Sequence, residues 1–485
     1  MHAATPNLFR RLVAHLSPLA LLLAAGCTVG PDYHAPAAKV ATPAFAAVPA
    51  TDAGGVDPDG AWWRAFADPE LGSLVDRALA ANPDITIATQ RVRAARAGLA
   101  FAEGRAYPQV GVGAAKMEYR KAGPLNTLYR GAYPTFQAGF DASWELDLWG
   151  GTRRAVEAAG ATLQATDEAR HGVQVALAAE VARTYVELRA VQRRLALAQT
   201  NLALQRRTLA LTRERLQAGL ASELDASRAD GLVANTEAQV PLLADGIDAL
   251  IHRLGLLLGE EPGALAPELT AVQPIPVAPA GIATGLPAEL LRRRPDIRAA
   301  ERRLAAATAR VGATQAQLYP HLGLGGTLGF VSTHSEDLFE YSNRYFSVGP
   351  GLHWNLFDAG RTRAQVEVAR AQADAAYAEY RKAVLGALAD ADNSLGALRA
   401  ERERHAALVT ATEAARRSVD TVTELYRQGV ADFLGVIDAE RSLAAAEDNL
   451  AQSDRSVSTD LIAVFKALGG GWSAAPAAHG FTPTT

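Results

Sequence analysis

An internal duplication constrains the fold of this chain more than any other feature of its sequence. Residues 82–85, Asn-Pro-Asp-Ile, recur as Arg-Pro-Asp-Ile at residues 294–297, an interval of 212 residues. Further matches follow in the same order at intervals of 210 or 212 residues: Tyr107-Pro108 with Tyr319-Pro320, Val110-Gly111-Val112-Gly113 with Leu322-Gly323-Leu324-Gly325, Trp144-Glu145-Leu146 with Trp354-Asn355-Leu356, and Ala218-Gly219-Leu220-Ala221 with Gln428-Gly429-Val430-Ala431. Five matches in the same order and at nearly the same interval are hard to obtain by chance. Both halves of the chain should therefore contain the same structural elements.

The duplication predicts a division of the chain into two structural repeats, residues 62–258 and 291–468. Each repeat should contain a helix, two strands, a very long helix, a glycine turn and a closing helix. The first repeat is predicted to have strands at about 108–120 and 133–148, a long helix at 152–218 and a closing helix at 223–258. The second is predicted to have strands at about 320–332 and 344–357, a long helix at 361–428 and a closing helix at 433–468. Residues 259–290 are predicted to link the repeats, and residues 469–485 to form a flexible tail.

The predicted strands alternate apolar with polar or small residues. From Phe136 to Leu148 every second side chain is apolar, and the same pattern runs from Phe346 to Leu356. An alternation of period two with one apolar face is typical of a strand that has one face against an apolar environment. A length of about 10 residues suits a tilted transmembrane strand. A soluble sandwich would alternate in the same way. However, four strands cannot close a barrel, and an open edge in lipid costs several kcal/mol per unsatisfied backbone group. If the strands span a membrane, several chains must share one barrel.

The long segment at 152–218 contains no proline and would be on the order of 100 Å long as one helix. Two heptad series run along it, and the second is offset by two positions, about 200° around the helix. The first series is Val181, Leu188, Leu195, Leu202, Leu209 and Leu216, and the second is Leu197, Leu204 and Leu211. Seams on nearly opposite sides favour a helix with two neighbours in a closed ring. An ordinary multi-helix bundle is the alternative.

Glycines end both long segments. Gly219 and Gly429 suit the left-handed conformation that commonly closes a helix. Each glycine is followed within a few residues by another predicted helix, so the sequence predicts two helical hairpins whose tips lie far from the strands.

The N-terminus has the pattern of a signal peptide over residues 1–26. Arg10 and Arg11 precede an apolar stretch, which ends in small residues before Cys27, the one cysteine of the chain. This pattern resembles a lipobox, in which the cysteine carries palmitate and other acyl chains and becomes the mature N-terminus. An ordinary secretory signal with an incidental cysteine is the alternative. The residues from 27 to 61, rich in Ala, Pro and Gly, are predicted to be a lipid-anchored tether.

Composition and motifs argue against catalysis and nucleic-acid binding. The 48 basic and 52 acidic residues give a net charge of −4, and no strong basic patch is present. The sequence contains no phosphate-binding loop, nucleophile elbow or HExxH zinc motif. We therefore expect no enzyme, no metal site and no cofactor apart from lipid on Cys27.

Together, these segments resemble the TolC-type outer-membrane factors, or outer membrane efflux proteins, and most closely the lipoprotein branch that includes OprM and NodT. The resemblance covers roughly residues 27–468. It is carried by Cys27-Thr28-Val29-Gly30-Pro31-Asp32-Tyr33, Trp62-Trp63, Asn82-Pro83-Asp84, Trp144-Glu145-Leu146-Asp147, Arg294-Pro295-Asp296-Ile297 and the Gly429 turn with Asp438-Ala439. It implies an α+β membrane protein that assembles as a homotrimer. A 12-strand β-barrel with four strands per chain, a periplasmic α-helical barrel and an equatorial belt containing residues 259–290 are expected.

The resemblance also implies partners and a gate. The hairpin tips at Gly219 and Gly429 would contact a periplasmic adaptor protein, which links the channel to an inner-membrane transporter, expected to be of the resistance-nodulation-division type. Leu434 and Asp438, four residues apart on one helix face, match the positions of the family's periplasmic constriction. A solvated surface acid is the alternative for Asp438. Gly435 occupies a position that is acidic in TolC, which puts a second acidic ring in doubt.

The expected function is therefore the outer-membrane exit duct of an efflux or export system, passing small molecules such as drugs. A periplasmic coiled-coil structural or adaptor lipoprotein is the main alternative, although it leaves the alternating strands unexplained. A lipoprotein enzyme is a second alternative, with no motif in its favour. Multidrug efflux, metal efflux and protein secretion use the same kind of duct, so the sequence does not identify the cargo.

Overall fold

The computed structural model describes residues 28–36, 60–120, 132–277, 279 and 292–472. Cys27, the signal peptide, most of the predicted tether and the tail from residue 473 lie outside these residues. The first half contains a 3-10 helix (Trp62–Phe66), α1 (Pro69–Ala81), α2 (Pro83–Gly104), β1 (Gln109–Arg120), β2 (Ala132–Leu146), α3 (Gly151–Gln217), α4 (Glu223–Glu237), α5 (Gln239–Leu258) and the short α6 (Ala266–Leu269). The second half contains α7 (Pro295–Ala316), β3 (His321–Ser332), a 3-10 turn (Tyr341–Asn343), β4 (Arg344–His353), α8 (Arg361–Arg427) and α9 (Phe433–Ala467).

The two halves have the same series of parts, as the duplication predicts. Helices α2 and α7 each begin at a proline, where the missing N–H has no partner to lose. In the first half Asn82 caps α2, because its Oδ1 accepts a hydrogen bond of 2.7 Å from the backbone N–H of Asp84. Helices α2 and α7 both end three residues before a Tyr-Pro pair, since proline disfavours helical backbone in the residue before it.

The closing helix of the first half differs from the prediction of one helix at 223–258. It is interrupted at Ala238, and α4 and α5 are separate helices. Pro241 accounts for the break, because a proline has no N–H to donate to residue 237 and its ring crowds that carbonyl. The second half has no proline at the matching place, and α9 runs without interruption.

The chain divides into two compact units, each of which takes segments from both repeats. One unit comprises Met1–Ala37, Arg91–Asp167 and Ala299–Arg381, and it contains the sheet. The other comprises Ala38–Gln90, Glu168–Arg298 and Lys382–Thr485. In this second unit Trp62 stacks on Phe465 with ring centroids 4.9 Å apart, within a core that also buries Leu71 and Leu254.

The sheet is antiparallel, in the order β1-β2-β3-β4. Its central pair, β2 and β3, joins the hairpin of the first half to that of the second, with Phe140 opposite Leu328. Among the described residues, β1 and β4 therefore form the two edges of the sheet.

No helix among the described residues combines the length and the apolar character needed to cross a lipid bilayer.

Candidate functional site at the helical tips and the sheet wall

The first helical hairpin turns at Gly219. This residue has a φ of 74°, the left-handed conformation that glycine adopts without steric cost. Its N–H donates to the carbonyl of Leu216 at 3.0 Å, and the N–H of Leu220 donates to Arg215 at 2.8 Å, so the last carbonyls of α3 are satisfied. Ser222 and Asp225 then form a reciprocal capping box that starts α4.

The second hairpin repeats this geometry at Gly429, which has a φ of 77°. The N–H of Gly429 donates to Tyr426 at 3.0 Å, and that of Val430 donates to Leu425 at 2.9 Å. Asp432, the counterpart of Ser222, starts α9 by accepting a hydrogen bond of 2.9 Å from the N–H of Gly435. Both predicted turns thus lie at the glycines, in matching geometry.

An apolar cluster joins the ends of the two hairpins. It contains residues from α3, α4, α8 and α9: Leu202, Leu209, Ala229, Leu232, Val233, Tyr426, Phe433, Val436 and Ile437. Leu202 and Leu209 belong to the first heptad series, and both are buried. The seam that the sequence predicts on α3 therefore packs within the chain and holds the two hairpins together.

One polar contact between the hairpins was not anticipated from the sequence. Arg215, in the last turn of α3, donates to the backbone carbonyl of Tyr426 at 3.0 Å. Its guanidinium also lies over the Tyr426 ring, 4.6 Å from the centroid. No pattern within either repeat signals this contact, since its two residues are not duplication partners.

The predicted gate residues lie on the exposed face of α9. Leu434 is 52% exposed, and Asp438 is exposed one turn later. The flanking residues Val436 and Ile437 are buried in the apolar cluster. In the first half, Leu224 and Arg228 occupy the matching positions on α4, and both are also exposed.

The tips carry exposed apolar residues in matched pairs. Leu220 and Val430 follow the two turn glycines and are 67% and 73% exposed. Leu224 and Leu434 form the second pair. Exposed apolar side chains therefore recur at equivalent positions of the two tips.

The sheet, in the other unit, is exposed on its apolar face. Val112, Phe140, Leu328 and Phe346 are direct cross-strand partners and form a row across all four strands. Each of them is more than half exposed. The adjacent row on the opposite face consists of Gly111, Asp141, Thr327 and Ser347, where the hydroxyls of Thr327 and Ser347 are 2.8 Å apart. One apolar and one small polar face suit a barrel wall between lipid and an aqueous lumen.

The segment that follows Cys27 packs in the same unit as the sheet. The N–H of Val29 donates to the carbonyl of Trp149 at 3.0 Å, between the end of β2 and the start of α3. Gly30 has a φ of 94° and approaches the backbone of Gly312 so closely that a Cβ would lie 2.3 Å from its Cα. The hydroxyl of Tyr33 donates to Glu301 at 2.9 Å, and Asp32 forms an ion pair with Arg154.

Comparison with known proteins finds matches to both halves of the chain. The family model for outer membrane efflux proteins matches residues 74–260 and 286–470, two segments that start at the spacing of the duplication. Nodulation protein T of Rhizobium leguminosarum bv. trifolii is 32% identical, with 91% of this chain and 94% of the relative covered. The pyoverdine export outer membrane protein OpmQ of Pseudomonas putida is 33% identical, with 95% and 97% covered.

Among solved structures, the outer-membrane channel OprN superimposes with a TM-score of 0.86 at 38% identity. The match covers 92% of this chain and 100% of the OprN chain. The fold, with its small sheet and long helices, is that of the TolC-type channels. The chain therefore belongs to the outer membrane efflux protein family and is the outer-membrane exit duct of an efflux system.

Proposed function

We propose that three copies of this chain form one channel, with four strands from each copy in a 12-strand barrel and the long helices in a periplasmic helical barrel. The observation that carries this proposal is the apolar row of Val112, Phe140, Leu328 and Phe346. This row crosses a sheet whose two edge strands have no further partner strand among the described residues. In lipid, the backbone groups of those edges need partners, and identical copies supply them. The channel carries out transport and no chemistry, so the chain is not an enzyme.

The cargo we propose is a small molecule. OpmQ, 33% identical over nearly its whole length, is named for the export of pyoverdine. The polar face of the sheet, with Asp141, Thr327 and Ser347, would give such a solute a hydrated path. Drugs of comparable size are the next class to test.

The partners we propose are a periplasmic adaptor at the tips and an inner-membrane transporter of the resistance-nodulation-division type. The exposed pairs Leu220 with Val430 and Leu224 with Leu434 support an adaptor contact next to Gly219 and Gly429. Leu434 and Asp438 would form the gate, as an apolar ring and an anionic ring when three copies meet.

We propose a covalent lipid on Cys27. The contact of Val29 with Trp149 supports it, because this contact holds the residues after Cys27 beside the end of β2. Acyl chains attached there would enter the same bilayer as the apolar face of the sheet. Each buried methylene would contribute about 0.8 kcal/mol to the anchoring.

The test combines fractionation with electrophoresis and bilayer recording. The full-length protein should fractionate with the outer membrane and migrate as a trimer that converts to monomer on heating. The purified trimer should conduct ions across a planar bilayer. A monomer in unheated samples, or a trimer without conductance, would refute the proposed channel and favour the periplasmic structural lipoprotein.

A further inference from the structure

A buried acid packs α9 against α3 near the tips. Glu440 lies on the apolar side of α9 and is 3% exposed. The Thr208 hydroxyl of α3 donates to its Oε1 at 2.6 Å. Thr208 is itself buried, and the apolar cluster of the tips includes Ile437 and Leu209, which are close neighbours of Glu440 and Thr208 along their helices.

Two buried acceptors near this contact lack donors. Within the part of the chain that the structure describes, Glu440 Oε2 and Gln205 Oε1 are inaccessible to solvent and have no hydrogen-bond partner. Gln205 is 3% exposed and lies one turn before Thr208, on the same side of α3. A buried acceptor without a donor costs roughly 1–3 kcal/mol.

The arginine side chains on the surrounding helices either contact other residues or are exposed. Arg206 pairs with Glu237, Arg213 with Asp230 and Arg416 with Glu447, and Arg215 contacts Tyr426. On α9 itself, Asp438 and Arg441 flank Glu440 on the exposed side. Among the described residues, Thr208 is therefore the polar side chain that contacts the Glu440 carboxyl.

A proton on the Glu440 carboxyl would relieve the defect at Oε2. A carboxylate at Glu440 would leave a negative charge in an apolar cluster without a cation, which is strongly unfavourable. A proton on Oε2 removes that charge and converts the oxygen from an unpaired acceptor into a donor. Burial accordingly raises the pKa of Glu440, and the hydrogen bond from Thr208 opposes the rise.

We propose that Glu440 is a positioning residue whose protonated carboxyl holds α9, the helix that carries Leu434 and Asp438, against α3, and that loss of this proton releases the tip. The inference rests on the proposed gate for its effect on transport, whereas the protonation itself does not depend on the gate. Since the packed tip binds a proton that a released tip binds less tightly, packing is favoured at low pH. The contribution is lost as the pH rises through the pKa of the packed form.

Infrared spectroscopy tests the proton directly. The pH titration uses the full-length trimer with Glu70→Gln and Asp460→Asn, which remove two other carboxyls whose pKa burial raises. It should show the carbonyl stretch of a protonated carboxyl that disappears as the pH rises above the range of ordinary glutamates. The band should be absent in Glu440→Gln. It should persist in Glu447→Gln, which removes a buried acid of the same helix that already pairs with Arg416. A band that remains in Glu440→Gln would overturn the assignment.

Bilayer recording tests the consequence for the gate. The measurements use an Asp438→Asn background, so that titration of the gate carboxylate does not contribute. Conductance should rise as the pH is raised, and Glu440→Gln should hold the low-pH conductance at every pH. Glu447→Gln should retain the rise, and a rise that persists in Glu440→Gln would overturn the coupling.

A second variant covers the case in which Glu440→Gln folds poorly. Thr208→Val removes the donor that favours the carboxylate, so the conductance step should move to higher pH, and Thr208→Ser should restore its position. An unmoved step would contradict the proposed contact. A trimer that shows the infrared band lost in Glu440→Gln, but conducts no ions, would count against the channel function and leave the protonation of Glu440 supported.

Discussion

Arg215 and Tyr426 connect the two hairpins at their tips through the same carbonyl that closes the second turn. The carbonyl oxygen of Tyr426 accepts from the Arg215 guanidinium at 3.0 Å and from the N–H of Gly429 at 3.0 Å. The ring of the same tyrosine lies beneath the guanidinium and within the apolar cluster of the tips. One side chain of the first repeat therefore stabilises the turn of the second.

Replacing Arg215 should loosen the tips. Arg215→Ala removes a hydrogen bond from a charged donor and a cation–π contact, together about 2–4 kcal/mol. We expect faster proteolysis at both turns and a higher bilayer conductance. Arg213→Ala is the matched control, because Arg213 pairs with exposed Asp230 and its loss should cost less than about 1 kcal/mol. Equal effects of the two substitutions would contradict a specific role for Arg215.

Neutralising Asp438 should change conduction without unfolding the tip. The side chain is exposed on α9, whereas its neighbour Ile437 is buried. Asp438→Ala removes three carboxylates from the proposed ring, so conductance should rise and block by multivalent cations should weaken severalfold. Bilayer recording measures both quantities, and Asp420→Asn, an exposed acid on α8, is the control. If conductance and block stay unchanged, Asp438 is a solvated surface acid.

The hairpin ends could be predicted because their signals are local. Gly219 and Gly429 mark helix ends on their own, and a proline starts α2 and α7 in a recognisable way. The break at Ala238 also has a local signal, which is Pro241. Treating the two repeats as equal hides that signal, because the matching helix of the second half is continuous.

The contacts between helices could not be predicted. Arg215 meets Tyr426, and Thr208 meets Glu440, across more than 200 residues of sequence. Neither pair joins positions related by the duplication, so the repeat gives no guide to them. A glutamate usually lies at the surface of a protein. The burial of Glu440 results from the packing of α9 on α3.

Glu70 and Glu268 should make stability depend on pH near neutrality. The two carboxyls form a hydrogen bond, and Arg77 donates to both oxygens of Glu268 at 3.0 Å. Burial, with the hydrogen bond to Glu268, raises the pKa of Glu70 to about 7, while the hydrogen bond from Glu70 and the charge of Arg77 lower that of Glu268. The proton therefore resides on Glu70.

The sign of this dependence follows from the raised pKa. Folding takes up a proton at Glu70, so its contribution is present at low pH and is lost as the pH rises through about 7. Glu70→Gln should flatten the melting temperature between about pH 5 and 7, the interval between the ordinary and the raised pKa of this glutamate. Glu103→Gln, at an exposed acid, should leave the slope intact. An unchanged slope in Glu70→Gln would exclude the shared proton.

Cys27→Ser should abolish acylation. Because Cys27 is the one cysteine, no other thiol can accept the first lipid. Cells grown with labelled palmitate should label the wild-type protein and leave the variant unlabelled. Label that persists in Cys27→Ser would contradict the lipobox prediction.

Two adjacent residues of β3 test the orientation of the sheet. Leu328 belongs to the apolar row that crosses all four strands, whereas Thr327 lies on the polar face and contacts Ser347. If the apolar face contacts lipid, Leu328→Arg should cost about 2–4 kcal/mol per chain and prevent assembly of the heat-modifiable trimer. Thr327→Arg places the same side chain in the lumen, so the trimer should still assemble and its conductance and ion selectivity should change. The reverse pattern would mean that the apolar face lines the interior, because an arginine is tolerated where water can reach it and excluded where it cannot.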